Sequence, residues 1–228
     1  MAPMTSFENS HYVPIFCNLQ GKKVVVVGGG RVAERKVRAL LPSGAKIVVI
    51  SPQVTQGLQE IIAQGEATHV SRGFSPGDLD GAWLVIAATD DTEVQDKVFK
   101  ESEAMRCFCN VVDEPEKCSF IVPSVVKRGA LSIAISTGGQ SPGLARHLRM
   151  RLQEEFGEEW ALYTELIGRL RRLILAGKCG KDMNERLERL INPDCLQWIR
   201  EKEWDKLSKW AIDICGQHGK DVVKDVIS

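Results

Sequence analysis

From Lys22 to Asp113 the chain alternates short, unbroken apolar runs with longer stretches of mixed polarity. The runs are 24–27, 47–50, 83–88 and 107–112. Runs of this length without polar alternation fit parallel strands covered on both faces. The stretches 32–41, 54–64 and 92–104 between them predict helices. Strands alternating with helices predict βαβ units and a doubly wound parallel sheet of the α/β class. Right-handed crossovers then place a ligand at the carboxyl ends of the strands.

The pattern changes after Asp113. Residues 119–122 and 130–136 predict two more strands, separated by a segment containing Pro123 and Gly129. From Pro142 onward the pattern is helical only. Leu144, Leu148 and Leu152 recur at the helical spacing, as do Leu162, Leu166 and Leu170, giving each helix an apolar stripe. Pro193 and Gly216 predict breaks. The expected organisation is a sheet domain over 1–115, a connecting segment over 116–152 and an all-helical region over 153–228.

The first run is followed at once by Gly28, Gly29 and Gly30, then by a helix opening Arg31-Val32-Ala33. This is the dinucleotide fingerprint with Ala at its third position, and the fold it predicts is Rossmann-like. The first glycine permits the tight turn. The second lets backbone N–H groups approach a pyrophosphate, and Ala33 lets helix and strand pack closely. The helix start adds partial positive charge. At the end of the second run, Ser51 stands where an acidic residue usually meets the ribose hydroxyls. No arginine is there for a 2′-phosphate, which favours NAD over NADP. Thr89, ending the third run, is placed to line the same cleft. Asp90 or Asp91 caps the following helix.

Composition adds exclusions. The 228 residues are 43% hydrophobic and 26% charged, an ordinary globular balance. With 30 basic and 30 acidic side chains, no general nucleic-acid surface is expected. No run reaches the roughly 20 apolar residues of a membrane span, and Met1 to Ser10 lacks a signal-peptide core. Seven cysteines without a disulfide-like framework or a CxxC pair fit a reducing cytoplasm. Cys107 and Cys109 fall on one face of a strand, as packed thiols do.

The neutral total conceals a local excess. From Lys117 to Gln153 there is no Asp or Glu, yet Lys117, Lys127, Arg128, Arg146, Arg149 and Arg151 are present. The same segment holds a glycine loop, Thr137-Gly138-Gly139-Gln140, leading to Ser141 as helix cap and Pro142 as first helical residue. Two readings stay open: a receptor for a polycarboxylate, or a solvated face balanced by Glu154, Glu155, Glu158 and Glu159. Asp113, at the end of the fourth run, is open among proton acceptor, metal holder and turn cap. His11, His69, His147 and His218 show no metal-ligand spacing.

Several segments together resemble one family. They are Pro14-Ile15-Phe16, Gly28-Gly29-Gly30-Arg31-Val32-Ala33-Glu34-Arg35-Lys36, Ala87 to Asp91, Asn110-Val111-Val112-Asp113, Ser119-Phe120-Ile121-Val122-Pro123-Ser124 and Ser136 to Arg146. In order and spacing, over about residues 12–152, they resemble precorrin-2 dehydrogenase, which also occurs as the N-terminal module of siroheme synthase. Some relatives add sirohydrochlorin ferrochelatase activity. The resemblance implies NAD-dependent oxidation of precorrin-2 to sirohydrochlorin by a homodimer, with 116–152 serving dimerisation and substrate binding. It implies that Asp113 is the functional carboxylate. It also favours the polycarboxylate reading, in which Lys127, Arg128, Thr137, Gly138, Ser141, Arg146 and Arg149 meet the tetrapyrrole. Relatives often carry Ser where Thr137 stands. The rival class is a non-catalytic NAD-sensing module, which needs neither Asp113 nor a basic segment.

Overall fold

The structure, a computed structural model, describes residues 12–228. His11 and the stretch inspected for a leader lie outside the described residues. Five parallel strands form the sheet: β1 (Lys23–Val27), β2 (Lys46–Ile50), β3 (Ala67–Val70), β4 (Ala82–Ala87) and β5 (Phe108–Val111), in the order β3-β2-β1-β4-β5. The order reverses between β1 and β4, so the switch point opens at the carboxyl end of β1. Helices α1 (Arg31–Leu40) and α2 (Gln56–Ala63) cover one face, with Ala33, Val37, Leu58 and Ile61 against Val26, Ile47 and Val49. Helix α3 (Thr92–Met105) covers the other, where Val98 packs with Val25, Val27 and Val85. Val24 to Val26 are fully buried, as the unbroken run requires.

The four strands read from apolar runs are present, and β3 is an addition. It is a four-residue edge strand, Ala-Thr-His-Val, of which only Ala67 is buried. The opposite edge is closed differently. Residues 119–122, expected as a strand, form none. Ser119 N–H donates to the Cys109 carbonyl at 2.9 Å, and Cys109 N–H donates to Ser119 Oγ at 2.7 Å. A side chain therefore supplies the acceptor that a ladder partner would have given, and the edge of β5 is blunted.

Contacts divide the chain once, into Met1–Val122 and Pro123–Ser228, where the sequence suggested boundaries near 115 and 152. The second unit opens with an antiparallel hairpin, β6 (Ser124–Arg128) and β7 (Leu131–Ile135). Gly129 turns it with a φ of 56°, and a Cβ there would lie 3.1 Å from Ala161. Helices α4 (Pro142–Glu155), α5 (Glu159–Leu175), α6 (Met183–Arg189), α7 (Asp194–Arg200) and α8 (Trp204–Ile227) follow. The Leu162 stripe of α5 behaves as expected: Leu166 and Leu170 are fully buried against Leu207, Ala211 and Ile214 of α8. The α4 stripe differs, since Leu144 is 49% exposed.

Helix α8 breaks at Cys215 and Gly216. There the expectation of free thiols throughout is corrected: Cys179, after α5, is joined to Cys215 in a disulfide. The two are 36 residues apart in sequence, and the tertiary packing of α5 on α8 brings them together. The other cysteines of the described residues are free, and Cys107, Cys109 and Cys195 are buried. Burial pushes the Cys107 thiol up to about 11 and the Cys195 thiol up to about 12. No helix of the described residues is long and apolar enough to cross a membrane.

Candidate functional site

The turn after β1 is shaped by contacts that only glycine allows. Gly28 has a φ of 121°, and a Cβ on it would lie 2.1 Å from the Ala88 carbonyl oxygen. A Cβ on Gly29 would lie 1.9 Å from the Gln53 carbonyl oxygen. Gly28 N–H donates to the Ile50 carbonyl, and Thr55 N–H donates to the Gly29 carbonyl. The turn is thus pinned to the end of β2 and the start of α2, and packed closely against the end of β4.

Gly30 is different. Nothing lies within 4 Å of where its Cβ would be, and it caps α1 without any side-chain hydrogen bond. The N–H groups of Arg31, Val32 and Ala33 begin the helix and have no intrahelical acceptor. Open space in front of unpaired donors, at the positive end of a helix dipole, fits a pyrophosphate. Ala33 is fully buried against the sheet, as the fingerprint's third position requires. Glu34 braces the arrangement. It receives Thr55 Oγ1 at 2.7 Å and Arg38 Nε at 2.9 Å, which hold its carboxyl below its ordinary value.

Ser51 is buried and gives its proton to the Gln53 carbonyl at 2.7 Å. That bond shapes the loop against Gly29. The lone pairs of Ser51 are left as acceptors for a ribose hydroxyl. Thr89 lies half-buried at the end of β4. Its Oγ1 accepts from Asp91 N–H, and its carbonyl accepts from Gln95 Nε2 at 2.7 Å. Asp91 caps α3, accepting from the N–H groups of Glu93 and Val94.

Asp113 follows β5 at the same edge of the sheet, with β4 between it and the glycine turn. It is exposed and adopts a φ of 64°, the left-handed region that a non-glycine residue enters at a cost. Val112 N–H donates to the Ala87 carbonyl and Glu114 N–H to the Val111 carbonyl, which closes a tight turn around it. Its carboxylate accepts no hydrogen bond from the described residues, so it does not cap that turn. Asn110 fixes the strand end from inside: buried, it donates to the Phe120 carbonyl at 3.0 Å and to Cys118 Sγ at 3.4 Å.

The acid-free segment is less uniformly positive in three dimensions than in sequence. In the first unit, Lys117 is paired with Asp96 at 2.8 Å. In the second unit, Arg128 spends its fork on the carbonyls of Lys127 and Gln153 and lies 3.3 Å from Glu158. Arg149 donates to Gln153 within α4. Lys127 and Arg146 are exposed. The glycine loop behaves as expected: Ser141 caps α4 through Leu144 N–H, and Thr137 Oγ1 accepts from Ser141 N–H. Gly138 has a φ of 61°. Among the described residues no group of three His, Cys, Asp or Glu could hold a metal ion.

Two family models match in succession. Residues 15–124 match the family described as "Putative NAD(P)-binding", and residues 128–155 match the central domain of sirohaem biosynthesis proteins. A siroheme synthase of Aeromonas hydrophila is 42% identical over 186 residues, which are 81% of this chain and 40% of that protein. One of Yersinia enterocolitica is 44% identical over 163 residues, covering 72% and 34%. Over most of its own length the chain is thus similar to siroheme synthases.

It spans about 40% of the length of the curated relatives it matches. Among solved structures it matches "SirC, precorrin-2 dehydrogenase" with a TM-score of 0.70 and 28% identity, over 83% of this chain and all of that one. The sequence singles out the glycine turn and Asp113 as candidates but gives no separate role to Asn110 or Gln95, which the structure shows bonded at the ends of these strands. Asn110 lies inside a motif that carries the resemblance. A polar residue in an apolar strand run was the available signal for Asn110.

Proposed function

We propose that the chain is an NAD-dependent dehydrogenase that oxidises precorrin-2 to sirohydrochlorin, and that it works as a homodimer in the cytoplasm. The observation that carries this reading is one edge of one sheet bearing both an open dinucleotide turn at Gly28–Gly30 and an unbonded carboxylate at Asp113. Gly28, Gly29, Gly30, Arg31, Val32 and Ala33 would hold the pyrophosphate of NAD, with Ser51 and Thr89 lining the cleft. When bound, NAD supplies the acceptor for the hydride that leaves the tetrapyrrole. Asp113 takes the proton that leaves with it, its exposed carboxylate engaged by no donor of the described residues. Exposed Lys127 and Arg146, with the Thr137–Ser141 loop, would receive substrate carboxylates. Arg128 and Arg149 would then act chiefly by holding α4 and the hairpin in shape. Half-exposed Leu144 and Met150 on α4 support a partner surface for the dimer. Asp113→Asn should bind NAD as tightly as the parent and lose at least a hundredfold in NADH formation from precorrin-2, the general-base share of a rate. Near-normal turnover would overturn the assignment.

The relatives' name supports a second activity, because siroheme is the iron chelate of the oxidised ring. Anaerobic incubation with sirohydrochlorin and Fe²⁺ or Co²⁺, without NAD, separates insertion from oxidation: metallation of the ring above the spontaneous rate supports it, and no acceleration rejects it.

A further inference from the structure

Helix α3 holds the end of β4 through a side chain that the packing of the helix does not need. Gln95 is 7% exposed, and its Nε2 donates to the Thr89 carbonyl at 2.7 Å. Thr89 borders the glycine turn directly: its backbone nitrogen lies 3.3 Å from where a Cβ on Gly28 would stand. Thr89 Oγ1 accepts from Asp91 N–H. Its own N–H and its hydroxyl proton reach no acceptor among the described residues. Thr89 therefore stands beside the dinucleotide turn with two donors free, and Gln95 fixes its backbone.

Gln95 does this at a structural cost. Its Oε1 is buried and has no hydrogen-bond partner among the described residues, the only such side-chain atom in the first unit. Turning the amide over gives no relief, because Oε1 would then meet the Thr89 carbonyl, acceptor against acceptor. A buried polar atom without a partner destabilises the folded state, and its persistence calls for a reason outside stability. Anchoring α3 is not that reason. Val94 and Val98 already hold the helix in the apolar cluster on its face of the sheet, and Asp91 caps its start. Thr89 is half-buried, so water can take the place of Gln95 at its carbonyl.

We infer that Gln95 is a positioning residue for NAD: it fixes residue 89 against the glycine turn, so that the free N–H and hydroxyl of Thr89 are set to donate to oxygen atoms of the cofactor. The inference rests on the reading of the turn as the NAD site. Donors oriented before the ligand arrives lose little freedom on binding, and affinity gains accordingly. Only a donor serves at this place, since the atom to be held is a carbonyl oxygen. A carboxylate of the same shape would offer it none.

The test compares NAD affinity, and thermal melting without NAD, for the parent, Gln95→Met, Thr89→Val, the Gln95→Met/Thr89→Val pair and Gly30→Ala. Steady-state rates of NADH formation from precorrin-2 accompany them. Gln95→Met keeps a similar volume without an amide, so it removes the orphan acceptor together with the bond. It should melt no lower than the parent and bind NAD about fivefold more weakly, the net contribution of one hydrogen bond. KM for NAD should rise while kcat at saturating NAD is kept. Combined with Thr89→Val, the same change should weaken binding by a smaller factor, because the hydroxyl it orients is gone. Normal NAD binding by Gln95→Met, beside weakened binding by Gly30→Ala, overturns the role of Gln95 and leaves the turn as the NAD site. Normal binding by both overturns the reading of the turn as well. A lowered melting temperature, or an equal factor with and without Thr89→Val, makes Gln95 a residue of the fold and overturns the inference. Gln95→Leu is measured alongside, and loss of folding in both variants has the same meaning.

Discussion

Gly28 and Gly30 stand two positions apart and answer to different demands. At Gly28 a Cβ would strike the Ala88 carbonyl, and its φ of 121° is closed to other residues. Gly28→Ala should therefore cost about 2–4 kcal/mol of stability, from backbone strain plus displacement of the β4 end. At Gly30 the φ is −82° and the space is empty. Gly30→Ala should leave the melting temperature nearly unchanged and weaken NAD binding by about tenfold, since a methyl group enters the space left for the pyrophosphate. Thermal melting and NAD titration of both variants check the contrast. If Gly30→Ala binds NAD normally, the open space in front of α1 is not the pyrophosphate site. The sequence showed both glycines but not this division, because spacing alone does not say which Cβ has a wall behind it.

At the scale of elements, the segment after β5 links Asp113 to the sheet. Asn110 ties it down by donating to the Phe120 carbonyl and Cys118 Sγ, and Ser119 by exchanging hydrogen bonds with the Cys109 backbone. Asn110→Ala leaves the Phe120 carbonyl without its donor, at a cost of about 1–3 kcal/mol, and should speed amide exchange in 112–120 before it affects β1 or β2. Equal protection in parent and variant would show that the segment is held by its apolar contacts instead. A second element has an acid sensitivity. Arg72 forks onto Asp78 at 2.7 and 2.8 Å and, with Ser75 N–H, holds the Asp78 carboxyl below its ordinary 3.8. A depressed carboxyl contributes stability above its unfolded value and loses it as pH falls through the folded one. The 71–81 connection should thus loosen only below about pH 4, and Asp78→Asn should loosen it at neutral pH, as limited proteolysis would show. Legibility varied with burial. The runs of β1, β2, β4 and β5 were plain because strands covered on both faces are apolar throughout. The edge strand β3 was hidden by its half-polar composition. Residues 119–122 imitated a strand because an apolar stretch that covers a sheet edge reads the same as one inside it. Asp113 was legible as a candidate by its place after a strand, whereas the bonds of Asn110 to Phe120 and Cys118 exist only once the chain has turned back on the end of β5.

For the whole molecule, formal neutrality is a poor guide to local charge, and so is a segment's own count. Lys117 and Arg128 are matched by Asp96 and Glu158, acids outside the acid-free stretch. Among the described residues, the basic side chains of this stretch with neither an acidic partner nor a bond within α4 are Lys127, Arg146 and Arg151. Stability is divided as well. The glycine turn lies in the first unit and the Cys179–Cys215 disulfide in the second, so the two should respond to different agents. A disulfide closing a loop of this length stabilises its unit by about 4 kcal/mol in the chain-entropy account. NAD at a hundred times its Kd stabilises the unit that binds it by about 2.7 kcal/mol. Calorimetry should resolve two transitions. NAD should raise one and leave the other in place, while Cys179→Ser/Cys215→Ser, or dithiothreitol, should lower the second and leave the first. A single transition that moves with both agents would mean that the chain unfolds as one cooperative block, and that the disulfide bears on the stability of the dinucleotide turn as well as on the helices it joins.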